Sequence, residues 1–174
     1  GNGDDRTESS PLCPLSNYAC SKLSGEFYVK TLQQYGHEYC IFRLWNTYGP
    51  GQNLAKTRSG IVACYLSQAL TSDSIKVTGS FDRYRDLVYI DDCTDALILG
   101  MNSGEQAKFE TFNICHGVKV TVHEMISAIL ENVPEERRRG ITVENVGAHD
   151  GDQSGSTGNS AKLRGIGWSP KYTF

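Results

Sequence analysis

The apolar positions of this chain follow two rhythms. From 17 to 35 the apolar positions Tyr18, Leu23, Phe27, Tyr28, Val29 and Leu32 spread round more than one helical face. That spacing predicts a helix whose apolar surface is wider than one buried side requires. Ser16 can cap its start and Gly36 can stop its end. The run EYCIFRL at 38–44 favours β structure and predicts a buried strand, after which Tyr48-Gly49-Pro50-Gly51 predicts a turn. A second helix is expected over 60–70, short strands over 75–78 and 87–90, then a helix to about Met101 capped by Asp91 or Asp92. A strand at 112–114 precedes a capping box, Thr121-Val122-His123-Glu124, opening a helix to about Asn132, and 141–146 predicts a further strand. Helices and strands in alternation predict an α/β fold. The opening stretch 1–15 is polar, turn-rich and too short for a βαβ crossover.

Composition narrows the class. The length, 174 residues, suits one domain, and 39% hydrophobic with 21% charged residues describes a globular protein. A net charge of −3 offers no basic footprint for nucleic acid or an anionic membrane. The one basic run, Arg137-Arg138-Arg139, follows Glu135-Glu136 and is expected to end a solvated helix. No stretch has the length and apolarity of a membrane span. The six cysteines lack paired zinc-ligand spacing, and several lie in apolar runs. Reduced thiols and a cytoplasmic location are therefore expected. His37, His116 and His123 show no metal or triad spacing and are expected at the surface or at caps.

Chemistry enters with Tyr18-Ala19-Cys20-Ser21-Lys22. Residues four apart share a helical face, and an ammonium beside a phenol favours the phenolate, giving a proton donor and acceptor near neutral pH. The pair alone says little in a chain with nine tyrosines. Its neighbours say more. Pro14, Ser16, Ser21 and Glu26 complete P-x-S-x-Y-x-x-S-K-x-x-x-E. Arg43-Leu44-Trp45-Asn46-Thr47-Tyr48-Gly49-Pro50, Arg85-Asp86-Leu87-Val88-Tyr89-Ile90-Asp91-Asp92, Gly151-Asp152 and Gly167-Trp168-Ser169-Pro170 follow in order. Together these segments resemble the extended short-chain dehydrogenase/reductase family, in particular its nucleotide-sugar epimerases and dehydratases, over almost the whole chain.

The resemblance implies the C-terminal part of a Rossmann-like doubly wound sheet within 1–48, carrying the Tyr–Lys helix, and a small α/β substrate-binding portion over 49–174, or one compact domain. It implies Tyr18 as the acid/base at a sugar hydroxyl and Lys22 as the residue that binds the nicotinamide ribose and favours the Tyr18 phenolate. Leu44 and Trp45 would line the nicotinamide side of an NAD cleft, with plain core as the alternative. Asn46 would donate to a nucleotide-sugar diphosphate, or simply form a turn. Arg85 would meet the nucleotide phosphate with its fork, or pair with Asp82 or Asp86. Asp152 matches an acidic position near the nucleotide ribose. His149 stands where several epimerases carry an arginine, which departs from the pattern.

The family's glycine-rich pyrophosphate loop and its catalytic Ser/Thr are not found ahead of Tyr18, where only Ser9 and Ser10 occur as expected loop serines. Gly151, Gly155 and Gly158 do not open a sizeable helix and are expected in a connecting loop. The chain thus resembles the C-terminal portion of such an enzyme, expected to act on a UDP-sugar but inactive without a cofactor half. The alternative is a non-catalytic oligomerising or nucleotide-sugar-binding module of the same descent. The wide apolar helix surface and the strand at 38–44 point to a homo-oligomer, or to a complementing N-terminal chain.

Overall fold

The computed structural model describes residues 3–55, 60–147 and 154–174. Ser16, in extended backbone, accepts from the Ala19 N–H at 3.1 Å and starts α1, Asn17–Thr31. One 3-10 turn, Leu32–Tyr35, extends it, and Gly36 at φ +80° ends it as the glycine predicted. Ala19, Leu23, Glu26 and Val29 make a half-buried stripe on α1. Phe27, Tyr28 and Tyr35 remain in solvent, and α1 buries no residue fully.

The strands pair two by two. The run after α1 forms β2, Cys40–Leu44, parallel to β7, Glu110–Ile114. Only Ile41 of β2 is buried and Leu44 is exposed, so the buried strand expected at 38–44 is corrected to a half-buried one over Cys40–Leu44. Trp45 then hands the chain from one partner to another. Its N–H donates to Ile114 C=O, still alongside β7, whereas the Asn46 N–H donates to Asp86 C=O. From there β3, Asn46–Tyr48, runs parallel to β6, Leu87–Tyr89. Tyr48, expected to open a turn, therefore ends a strand, and the turn begins at Gly49, whose φ is +150° and whose absent Cβ would lie 2.4 Å from Ile90 Cγ2.

Three further pairs complete the set. β4, Ser74–Val77, lies parallel to β9, Thr142–Asn145, and the two-residue β5, Tyr84–Arg85, antiparallel to β8, Val120–Thr121. β1, Gly3–Arg6, pairs in parallel with β10, Ser156–Gly158. The polar N-terminal stretch and the glycine-rich stretch are thus partly strands that satisfy each other, a long-range match that neither segment signals locally. Both β1–β10 and β2–β7 join residues before position 48 to residues after it.

Two apolar clusters hold these pairs. α2, Ile61–Thr71, and α4, Val122–Glu131, clamp β4: Tyr65, Ala69, Ile75, Val77, Ile126 and Ile129 are buried together. The expected capping box is present, with Thr121 Oγ1 accepting from the Glu124 N–H at 3.1 Å and Glu124 accepting from the Thr121 N–H at 2.7 Å. The second cluster sets α3, Ile90–Asn102, with Phe112, Ile114, Leu163 and Trp168. Each fully buried aliphatic or aromatic side chain contributes on the order of 1.5–3 kcal/mol. The N-cap of α3 is Tyr89, two or three residues ahead of the expected Asp91 or Asp92. Asp92 instead binds the tail: its carboxylate accepts from the N–H groups of Lys171 and Tyr172 and its C=O from Trp168 Nε1. The Gly-Trp-Ser-Pro segment is therefore anchored through a buried carboxylate. The basic run ends α5, Glu135–Arg138, a short exposed helix. No helix among the described residues is long and apolar enough to cross a membrane.

Candidate functional site

Where β2 leaves β7 and β3 joins β6, the sheet splits at the carboxyl end of a strand, the place where ligands of open α/β sheets bind. A cleft of about 310 Å³ opens there, lined by Arg6, Thr7, Ser10, Leu12, Leu44 and Trp45 among others. Leu44 is half exposed, and the Trp45 ring lies so close to Gly158 that a Cβ there would fall 2.5 Å from Trp45 Cε2. Trp45 thus stands against backbone that only glycine can supply. Arg43 on β2 holds the cleft's floor: Nε and Nη2 grip the Glu26 carboxylate at 2.8 and 2.7 Å, and Nη1 donates to Glu8 C=O. Glu8 in turn accepts from the Asn113 N–H, and Asn113 Nδ2 donates to the carbonyls of Arg6 and Asn159.

Beside the cleft lies a buried carboxylate that sequence reading treated only as a partner for Arg85. Asp86 is 0% exposed. Its Oδ1 accepts from the His116 N–H at 2.9 Å, and its Oδ2 from the N–H groups of Gly117 and Gly158 at 3.0 and 2.9 Å. Burial pushes this carboxyl above the usual carboxylate range, and the three amides pull against that shift. Its backbone C=O accepts from both the N–H and the Nδ2 of Asn46, at 3.2 and 3.1 Å. The local sequence signal was available: an acidic residue enclosed by the apolar run Leu87-Val88-Tyr89 has to be buried with it, and a buried carboxylate needs donors.

The sequence-predicted residues separate into three groups. Leu44 and Trp45 line the cleft. Asn46 is tied to the Asp86 C=O, and Arg85, the residue before Asp86 in the chain, lies on β5 beside β8. Arg85 is half-buried, its Nη1 donating to Tyr84 C=O at 2.7 Å. Arg83 and Arg85 both act on the buried Tyr65 phenol, whose pKa is raised by burial against their pull. Tyr18 and Lys22 do meet on one face of α1, with Lys22 Nζ 5.5 Å from the Tyr18 ring centroid. That face is open: Tyr18 is 72% exposed, and neither residue lines the cleft. Asp152, with His149 and Gly151, lies outside the described residues.

Other groups carry less chemistry. Ser9 and Ser10 sit in the turn after β1, bonded to Thr7. All six cysteines are free, and burial near Asp86 pushes the Cys115 thiol up to about 12, which keeps it protonated. His116 is half-buried, with a buried Nδ1 that has no hydrogen-bond partner among the described residues. No cluster of three metal-ligating side chains occurs among them. A larger groove of about 540 Å³, lined by Tyr39, Phe42, Leu97, Met101 and Lys108, contains none of the predicted site residues.

Comparison with known proteins gives the family. The profile of the NAD dependent epimerase/dehydratase family matches residues 1–115. The chain is 30% identical over 174 residues to the dTDP-L-rhamnose 4-epimerase of Burkholderia thailandensis, covering 98% of this chain and 45% of that protein. The UDP-glucose 4-epimerase of Thermotoga maritima, solved with UDP-glucose, superposes with a TM-score of 0.87 at 27% identity, over 99% of this chain and 54% of that one. The Thermus thermophilus UDP-glucose 4-epimerase, solved in complex with NAD, gives a TM-score of 0.82 at 28% identity, over 100% and 55%. The chain spans about half the length of the curated relatives it matches. It belongs to the NAD dependent epimerase/dehydratase family, with the Rossmann-like fold of its structural neighbours.

Proposed function

We propose that this member of the epimerase/dehydratase family carries the nucleotide-sugar-binding part of an NAD-dependent enzyme acting on a UDP-sugar. Residues 1–48 would contribute the edge of the cofactor-binding sheet and 49–174 the substrate-binding portion. The observation that carries this is the bonding of Asn46 to the backbone of Asp86, the residue that follows Arg85, at the sheet split beside the Leu44–Trp45 cleft. A guanidinium and a carboxamide together suit a diphosphate, one supplying charge and a fork, the other a neutral donor. The UDP-glucose complex of a relative supports the substrate class.

The residues present fit the nicotinamide end of NAD, since Leu44 and Trp45 offer an apolar wall. Among the described residues no glycine-rich turn opens a long helix to cradle the pyrophosphate. When bound, NAD would supply a hydride acceptor and donor. Within this chain, Tyr18 would hold and move the sugar hydroxyl proton, Lys22 would favour its phenolate, and Arg85 and Asn46 would hold the diphosphate. Asp152 would approach the nucleotide ribose. The chain alone is expected to bind the nucleotide end of its substrate and NAD only weakly, and to be inactive until a cofactor half completes it.

Titration calorimetry tests this with UDP and with NAD on the chain and its Arg85→Ala variant. UDP binding that falls about 10- to 150-fold on loss of Arg85, as loss of a charge-assisted bond implies, supports the proposal. UDP binding that is unchanged removes Arg85 from the site, and tight NAD binding in the low micromolar range overturns the division of labour.

A further inference from the structure

Two carboxylates are fully buried among the described residues, and they do different things. Asp92 holds the C-terminal tail. Asp86 bonds to residues 116–117 and 158 through its carboxylate and to Asn46 through its C=O, and it follows Arg85 directly in the chain. We propose that Asp86 is the positioning residue for the nucleotide end of the site, fixing Asn46 and Arg85 in the orientation that binds a sugar-nucleotide diphosphate. This inference rests on the function proposed above.

The case is geometric. The loop amides of His116 and Gly117 and the β10 amide of Gly158 converge on the two oxygens of one side chain. Three donors from two separate segments over-determine where that carboxylate sits. The carboxylate's own peptide units then carry the constraint outward. On the C-terminal side, its C=O takes both the N–H and the Nδ2 of Asn46, which fixes the carboxamide plane. On the N-terminal side, one peptide bond away, Arg85 pairs with Val120 on β8. Gly158 adds a second function, since the same residue that donates to Asp86 stands against the Trp45 ring. One buried group thus ties the phosphate-binding pair to the cleft wall.

The chemistry requires a carboxylate rather than an amide. A carboxylate is acceptor-only, whereas an asparagine of the same shape has one acceptor oxygen and a donating NH₂. Asp86→Asn would therefore set an NH₂ against at least one of the three N–H groups, with no change in size. The segment 85–87 between β5 and β6 would shift to relieve that clash, and the Asn46 and Arg85 side chains would shift with it.

The test compares Asp86→Asn with Asp92→Asn in the full chain. Both keep volume and both spoil a buried carboxylate, but only one adjoins the pair. UDP affinity is measured by calorimetry below the unfolding range of either variant, and the Asn46 side-chain amide is followed in ¹H–¹⁵N spectra. Asp86→Asn is expected to weaken UDP about tenfold or more and to displace the Asn46 amide resonances, while Asp92→Asn leaves both within about twofold of wild type. Equal UDP affinity in the two variants overturns the proposal. Should the parent chain not bind UDP, the proposed function fails by itself, and unmoved Asn46 resonances in Asp86→Asn then overturn the positioning role separately. Should Asp86→Asn not fold, the parent decides: UDP must shift the Gly117 and Gly158 amide resonances, and their standing still refutes the link.

Discussion

α4 and α1 begin with the same local device and end in opposite situations. Each starts on a hydroxyl that accepts from its first turn, Thr121 for α4 and Ser16 for α1. α4 then buries Val122, Met125, Ile126 and Ile129 in one stripe. α1 is longer, carries as many large apolar residues, and fully buries none. A cap tells where a helix begins. Only the arrangement of apolar positions against an available partner tells what holds it in place. α4 is held by packing, whereas α1 adds to its half-buried stripe a charged clasp, Arg43 gripping Glu26 with both ends at 18% exposure.

The largest expected effect breaks the α4 side of this contrast. Met125 is 0% exposed, so Met125→Ala should cost about 2–5 kcal/mol through lost burial and a cavity. Urea unfolding followed by circular dichroism would report it as a lower midpoint at unchanged slope. The corresponding truncation on the half-buried stripe of α1, Leu23→Ala, should cost clearly less. Equal losses would mean that α1 is as well packed as α4 and the contrast is false.

The next effect breaks the clasp. Glu26→Ala removes two charge-assisted bonds from Arg43 and leaves its guanidinium, at 18% exposure, with the Glu8 carbonyl as one remaining acceptor. Such a loss costs about 1.5–3 kcal/mol. Because the clasp joins α1 to β2, the damage should be local: faster amide exchange along α1, with α4 unchanged. Uniform exchange across both helices would show instead that Glu26 supports the whole fold.

The same contrast explains what could be read from the chain in advance. Local signals were legible: the Ser16 cap, the Gly36 stop, the capping box at Thr121 and the alternation of helix and strand. Long-range satisfaction was not. β1 and β10 are polar stretches that become strands by pairing with each other across the whole chain. Tyr48 looked like a turn residue because Gly49 and Pro50 follow it, yet its neighbours pair with β6. Asp92 looked like a cap because it opens an apolar helical run, and its real donors come from the tail. Asp86 looked like an ion-pair partner because arginine stands beside it, and it bonds instead to amides of residues 116, 117 and 158. In each case the deciding partner lies far away in sequence, where no period or spacing reaches.

The smallest effect on stability carries the sharpest information about α1. Phe27 and Tyr28 are 61% and 74% exposed, and Tyr18 and Tyr35 are exposed elsewhere on the same helical segment. Surface substitutions usually move stability by no more than about 0.5 kcal/mol, so Phe27→Ser with Tyr28→Ser should leave the urea midpoint almost where it was. Exposed apolar surface of this extent on one helix tends to be covered by a partner, and in a homo-oligomer the same helix can supply the surface on both sides. The parent chain is therefore expected to sediment above its 19.2 kDa monomer mass at micromolar concentration, and the double variant to sediment as a monomer. Stability and association would then separate: the packed helix governs the first, the clasped helix the second. A parent that is a folded monomer, or a variant that associates as before, would show that α1's apolar surface is ordinary solvent-exposed surface and that only the clasp distinguishes it from α4.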